Sequence, residues 1–288
     1  MIGNLIFFIF SFFSIGYLFP ILGIFDLHSK TKKDIIFQII KYARLLFSFK
    51  IFRISKEKLE HHKDLIYLCN HRSFSDMFID QILTEYCGKT IARYMVLILF
   101  PFSYILSKIA NNCYFINRGN VGKIDEFFKK VEINRKLDKY NNFIVYPEGT
   151  RRPRQNESCM LKKGFIYHSY NYNLPLQIII TKNKEDIIEE KKFMAKRNVN
   201  LYVYYSHIIF PDYKKFTREE YYEYIQNIWD CCWKKVYKTK YNKKSLKEIE
   251  QNYIYNNNNK LSQEFRLFKY LFIFILFMFF FNYNYIYI

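Results

Sequence analysis

Between residues 65 and 237, short runs rich in Ile, Val, Tyr and Phe alternate with longer stretches of helical spacing, and this alternation restricts the fold more than any other feature of the chain. Strands are predicted at Leu65–Cys69, Cys113–Ile116, Phe143–Tyr146, Leu176–Thr181 and Asn200–His207. Helices are predicted at Asp76–Tyr86, Ile124–Leu137, Leu161–Tyr172 and Arg218–Tyr237. Apolar strands that are not amphipathic need helices on both faces, so the expected class is α/β with a mostly parallel central sheet flanked by helices. In such sheets the site lies on loops leaving the carboxyl ends of strands.

The flanks read differently. No charged residue occurs from Met1 to Phe25, and a helix over Leu5–Phe25 would be roughly 30 Å long at about 1.5 Å per residue, the thickness of a hydrocarbon core. Residues 1–26 are therefore expected to form a membrane-anchoring helix. The basic flank His28–Lys33 keeps the body on the cytosolic face, which makes the endoplasmic reticulum the expected membrane. Ile35–Ile54 mixes Phe, Ile and Leu with Lys41, Arg44, Lys50 and Arg53, so residues 27–60 read as an interfacial helical segment, with an ordinary core helix as the alternative. Residues 61–240 form the expected globular body and 241–264 a polar linker. A C-terminal apolar membrane segment, 265–288, centres on Leu271–Phe281. Met95–Leu106, interrupted by Pro101, either lines a lipid-facing groove or belongs to the core. The charge-rich stretch Lys182–Asn198 is expected to be a solvated loop or frayed helix.

With 45 Lys+Arg against 26 Asp+Glu the net charge is +19, which favours polyanionic partners such as an anionic membrane surface or phosphorylated substrates. Aromatics at 21% exclude a disordered polycation. The charge also suits nucleic acid, but no helix-turn-helix, RNP-type or zinc-finger pattern is present, and no nucleic acid partner is expected. The six cysteines show no C-x-x-C pair and are read as reduced thiols.

Three strand-end segments carry chemistry. Asn70-His71-Arg72-Ser73-Phe74-Ser75-Asp76 follows a predicted strand. A His oriented by a carboxylate through one ring nitrogen can accept a proton on the other. Residues five apart on a helix diverge by about 140°, so a meeting of the two requires His71 on the loop and Asp76 in the first helical turn, with Ser73 or Ser75 as N-cap. Tyr146-Pro147-Glu148-Gly149-Thr150-Arg151-Arg152 closes a second apolar strand, where Pro and Gly force a turn and Arg151 offers a fork suited to phosphate. Tyr114-Phe115-Ile116-Asn117-Arg118-Gly119 leaves an Arg at a third strand mouth. His61-His62 lacks a third ligand, and sequence neighbours do not face one way, so no metal is expected. There is no G-x-S-x-G elbow and no Cys beside a candidate base.

In this order the blocks resemble the glycerolipid acyltransferase family, which acylates lysophosphatidic acid and its relatives. N-H-x-x-x-x-D is met by Asn70, His71 and Asp76; F-I-x-R by Phe115, Ile116 and Arg118; and F-P-E-G-T-R by Pro147, Glu148, Gly149, Thr150 and Arg151, with Tyr146 replacing Phe. A fourth block is met in part by Leu174-Pro175-Leu176, so the resemblance spans roughly Leu65 to Leu176. It implies acyl transfer from acyl-CoA or acyl carrier protein, as co-substrate with no other cofactor, to the sn-2 hydroxyl of lysophosphatidic acid. Glycerol 3-phosphate or another lysophospholipid is the alternative acceptor. The resemblance further implies that His71 is the general base and Asp76 orients it. Arg118 and Arg151 would hold the acceptor phosphate, Glu148 would position its hydroxyls, and Asn70, Gly149, Thr150 and Pro175 would complete the substrate site. Backbone N–H groups near Gly149 or the helix start after Ser75 are the candidate oxyanion donors, and Lys162-Lys163-Gly164 is either a contact for CoA phosphates or a solvated helix start.

Overall fold

The structure is a computed structural model that describes residues 2–25, 32–94, 96, 98, 100–116, 123–137, 142–238 and 246–249. An apolar N-terminal helix runs through α1 (Ile2–Phe13), a π-helical turn (Ser14–Leu18) and α2 (Phe19–Phe25). There follow α3 (Lys32–Phe47), β1 (Lys50–Arg53), β2 (Ile66–Cys69), α4 (Asp76–Leu83), β3 (Gly88–Arg93), α5 (Pro101–Ala110), β4 (Cys113–Ile116), α6 (Lys123–Leu137) and β5 (Asn142–Val145). The second half contains α7 (Lys163–Tyr172), β6 (Leu176–Lys182), a short helix α8 (Lys184–Ile187), the hairpin β7 (Ile188–Glu189) and β8 (Met194–Ala195), β9 (Asn200–Tyr205), α9 (Arg218–Tyr237) and β10 (Lys247–Glu248).

Among the described residues the main sheet has the order β10-β1-β9-β6-β2-β5-β3-β4. It is parallel except where β10 meets β1 and β6 meets β9. The expected α/β class therefore holds, and the physical reason shows in β2. Tyr67 and Cys69 pack with the N-terminal helices and α4 on one face, while Ile66 and Leu68 pack with α7 and α9 on the other. Successive side chains of a strand point to opposite faces, so a strand covered on both sides must be apolar throughout. Helix α9 starts at a capping box, in which Thr217 Oγ1 accepts from the Glu220 N–H and Glu220 accepts from the Thr217 N–H. Its stripe Tyr221, Ile225, Trp229, Trp233 and Val236 is buried against the sheet.

Several expectations change. Residues 27–60 are not one interfacial helix: α3 buries Ile36, Ile40, Ala43 and Phe47 in the core, and Lys50–Arg53 is a strand inside the sheet. Part of the expected linker, Lys247–Glu248, pairs with β1. The stretch Lys182–Asn198 is neither a frayed helix nor a solvated loop. Its Lys184, Glu185, Asp186 and Glu189 pair with charges of the body, and Lys184, Glu185 and Glu189 are buried. From the Met95–Leu106 patch, Phe100 and Leu106 enter the core while Ile98 and Ile105 stay exposed. The six cysteines are free thiols, as read from their spacing. The helix Gly3–Leu22 is long and apolar enough to cross a membrane, yet 44% of its most apolar window is buried against the body. The basic flank His28–Thr31, the Asn256–Asn259 tract and the C-terminal segment Leu271–Phe281 lie outside the described residues.

Candidate active site

Strands β2 and β5 are adjacent and parallel, with Leu68 opposite Val145, so the loops that follow them emerge side by side. Strand β6 lies on the other side of β2, with Cys69 opposite Ile179, and delivers Lys184 and Glu185 to the same edge. Three sequence-distant segments thus converge, and a main-chain bond from the Arg152 N–H to the His71 carbonyl ties the first two together at 2.9 Å.

At the centre His71 Nδ1 lies 2.7 Å from Asp76 Oδ2. An ionised carboxylate only accepts, so Nδ1 carries the proton and Nε2 is the free acceptor. The Asp76 carboxylate is fixed from other sides too, since Oδ2 accepts from the Arg72 N–H at 2.6 Å and the Ser73 N–H at 3.1 Å. The His71 side chain keeps 24% exposure while that of Asp76 keeps 2%, the arrangement needed for a base that meets substrate and an orienting group that does not. The His71 ring stacks on Tyr146, with centroids 4.3 Å apart. Asp76 stands in the first turn of α4, as the angular argument required. The cap is different from the one expected: neither serine bonds a helix N–H. Instead the Ser73 and Ser75 hydroxyls lie 2.7 Å apart, with Ser73 donating to Ser75 and Ser75 donating to the Lys184 carbonyl at 2.8 Å.

Burial pushes the Asp76 carboxyl up, but the Lys184 charge, the His71 bond and the Arg72 N–H outweigh it and hold the group below its ordinary value. Burial, opposed by Lys184 and reinforced by Asp76, drives Asp80 to about 7. Glu148 is pushed up to about 8 by burial, against the pull of Arg72 and Lys184. Asp76 therefore stays ionised near neutrality while Glu148 stays largely protonated.

The other predicted residues separate. Gly149 adopts φ +77°, a left-handed turn that glycine favours, and a Cβ there would press on the Lys162 side chain at 3.2 Å. Thr150 is exposed, and Arg151 is exposed and ion-paired to Glu190 at 2.6 Å. Glu148 is enclosed, so its carboxyl is not open in this structure to the substrate hydroxyl that the resemblance implied. Asn70 is buried as well, and its amide accepts from the Thr181 N–H and donates to the Thr181 carbonyl and Tyr237 hydroxyl in place of the substrate contact expected. Pro175 precedes Leu176, which pairs with Ile66 at the amino ends of the strands, so it sits at the opposite edge of the sheet from His71. The Gly149 N–H is spent on the Tyr146 carbonyl and the Asp76 N–H on the Ser73 carbonyl, which removes both from the expected oxyanion donors. Lys163 begins α7 with its ammonium near the Tyr167 and Tyr222 rings. Arg118 lies outside the described residues. Among the described residues no cluster of His, Cys, Asp and Glu is arranged to hold a metal ion.

The motifs missed Arg72, Lys184 and Glu185. Arg72 is fully buried, paired to Glu185 at 2.7 Å, bonded to the Gln155 carbonyl at 2.8 Å and covered by Trp233 and Tyr237. The only sequence signal was an Arg inside the His motif and a charge-rich run after a strand.

Comparison with known proteins gives a consistent assignment. The family model named Acyltransferase matches residues 50–180. A 1-acyl-sn-glycerol-3-phosphate acyltransferase from Cocos nucifera is 35% identical over 112 residues, covering 38% of this chain and 35% of that protein. The chain thus spans about a third of the length of that relative. The crystal structure of the 1-acyl-sn-glycerophosphate (LPA) acyltransferase PlsC from Thermotoga maritima superposes with a TM-score of 0.62 at 18% identity, over 84% of this chain and 99% of that one. At that identity the likeness is one of fold.

Proposed function

We propose that the chain, whose residues 50–180 match the acyltransferase family model, transfers a fatty acyl group from a thioester donor to the sn-2 hydroxyl of lysophosphatidic acid, yielding phosphatidic acid. Acyl-CoA or acyl carrier protein is the donor. The observation that carries this reading is the 2.7 Å contact between His71 Nδ1 and the buried, ionised Asp76, which frees Nε2 to act as base.

In the proposed sequence His71 Nε2 takes the proton of the acceptor hydroxyl as its oxygen attacks the thioester carbonyl carbon. Asp76 holds the imidazolium that forms. The tetrahedral oxyanion then collapses, the C–S bond breaks, and the imidazolium returns the proton to the departing thiolate. Donor thioester and acceptor alcohol become ester and thiol, with no covalent acyl-enzyme. Arg151 and Arg118 serve the acceptor phosphate, which at Arg151 takes the place of Glu190. The name of the matched relative, a 1-acyl-sn-glycerol-3-phosphate acyltransferase, favours lysophosphatidic acid over glycerol 3-phosphate and other lysophospholipids as acceptor. The N-terminal helix attaches the protein to an anionic membrane surface, with the catalytic domain on the cytosolic side of the endoplasmic reticulum.

The test is an assay of purified protein with acyl-CoA and a panel of acceptors. His71→Ala is expected to lower kcat by about 10²–10⁴-fold, the usual yield of general-base catalysis, with the fold intact by circular dichroism. Turnover of His71→Ala at the wild-type rate sinks the mechanism, and preferential turnover of glycerol 3-phosphate sinks the acceptor.

A further inference from the structure

The ammonium of Lys184 is completely enclosed and lies beside the His71–Asp76 pair, on a segment outside every sequence motif. It donates to the Asn70 carbonyl at 2.6 Å, on the main chain directly before His71. It also donates to both Asp80 oxygens, at 2.9 and 3.1 Å, and faces Asp76 Oδ1 at 3.4 Å. That Oδ1 is buried without a hydrogen-bond partner, whereas Oδ2 carries His71, Arg72 and Ser73. The same ammonium is 5.9 Å from the centre of the Tyr146 ring that stacks on His71. Cys69 from β2 adjoins the cluster, and the Arg72–Glu185 pair and Glu148 border it.

Burying an ammonium costs several kcal/mol unless its donors are used and its charge is compensated. If Lys184 only neutralised Asp80, Asp80 alone would have to compensate it. Here it also grips the backbone that carries the base, and it supplies the counter-charge for the Asp76 oxygen that has no hydrogen-bond partner among the described residues.

We propose that Lys184 is a positioning residue for the His71–Asp76 pair. Its ammonium fixes the Asn70 carbonyl and the Oδ1 edge of Asp76, so that the carboxylate presents Oδ2 to Nδ1 of the imidazole. This rests on the acyl-transfer reading above.

Lys184→Met leaves Asp80 buried and unpaired and risks misfolding, so the decisive variant is Asp80→Leu combined with Lys184→Met, which removes both charges together. Its kcat is expected to fall about ten- to a hundredfold with KM for donor and acceptor within twofold of wild type, because a displaced base slows chemistry without weakening binding. A wild-type kcat in the double variant overturns the proposal, as does a loss confined to KM. A readout independent of turnover is the Nδ1–H resonance of His71 in protein labelled with 15N-histidine. It is expected far downfield in the wild type and absent or shifted in the double variant, and an unchanged resonance overturns the proposal. His71→Ala is assayed in parallel. If it keeps full turnover, the acyl-transfer mechanism fails while the resonance still decides the role of Lys184; if it is inactive and the double variant is not, only the role of Lys184 fails.

Discussion

Glu148 is a carboxyl group enclosed by protein, and this has a consequence for stability. Burial raises its pKa from the ordinary 4.5 to about 8. Between those values the folded chain holds a proton that the unfolded chain gives up. Its stabilising contribution is therefore complete below about 4.5 and is lost as pH rises through 8. Glu148→Gln keeps the shape and removes the titration. Its melting temperature is expected to exceed the wild-type value by a margin that grows from pH 5 to pH 8, and parallel curves would contradict the assignment. Asp80, driven to about 7, adds a slope of the same sign in both proteins. Asn70 illustrates a different use of a motif residue: its side chain stitches the end of β2 to Thr181 of β6, which sets the height at which His71 leaves the sheet.

At the level of elements, the N-terminal helix is part of the site's scaffold as well as an apolar surface. Phe12 packs on Phe74, in the loop between His71 and Asp76, with ring centres 5.2 Å apart, and Phe100 packs against both. Gly16 makes that approach feasible, for a Cβ there would sit 2.3 Å from Phe100 Cδ1. Phe100 is buried among Phe12, Tyr17 and Phe74 and has little room to yield. Gly16→Val is expected to destabilise the fold by about 1–3 kcal/mol through overpacking, read as a lower urea midpoint with unchanged slope. An unaltered midpoint would show that the helix packs elsewhere.

For the whole molecule, charge and apolar exposure act together. A net charge of +19 would favour an anionic bilayer over a neutral one, and Leu5, Ile6, Ile9, Phe10 and Phe13 of α1, with Ile105 and Ile109 of α5, present apolar side chains outward. These contributions separate experimentally, because 1 M salt shortens the screening length to about 3 Å and leaves hydrophobic contact intact. Protein bound to vesicles containing anionic lipid is expected to stay in the pellet after a 1 M salt wash. Complete release would show that charge alone holds it.

The α/β class and the placing of His71 and Asp76 were legible in the sequence because both are local. Periodicity reports which strands are covered on two faces, and the five-residue spacing admits a meeting only across a loop-to-helix junction. What tertiary structure decided is where distant segments lie. Lys50–Arg53 and Gly88–Arg93 are too charged or too polar to read as strands, and they become strands because parallel neighbours supply their hydrogen bonds. Lys184 looked solvated in its charged run until β6 set it against Asp76 and Asp80, more than a hundred residues earlier. Glu148 and Asn70 looked like substrate contacts until neighbouring elements enclosed them. Burial and charge pairing belong to the neighbours a residue acquires on folding, and a linear chain does not state who those neighbours are.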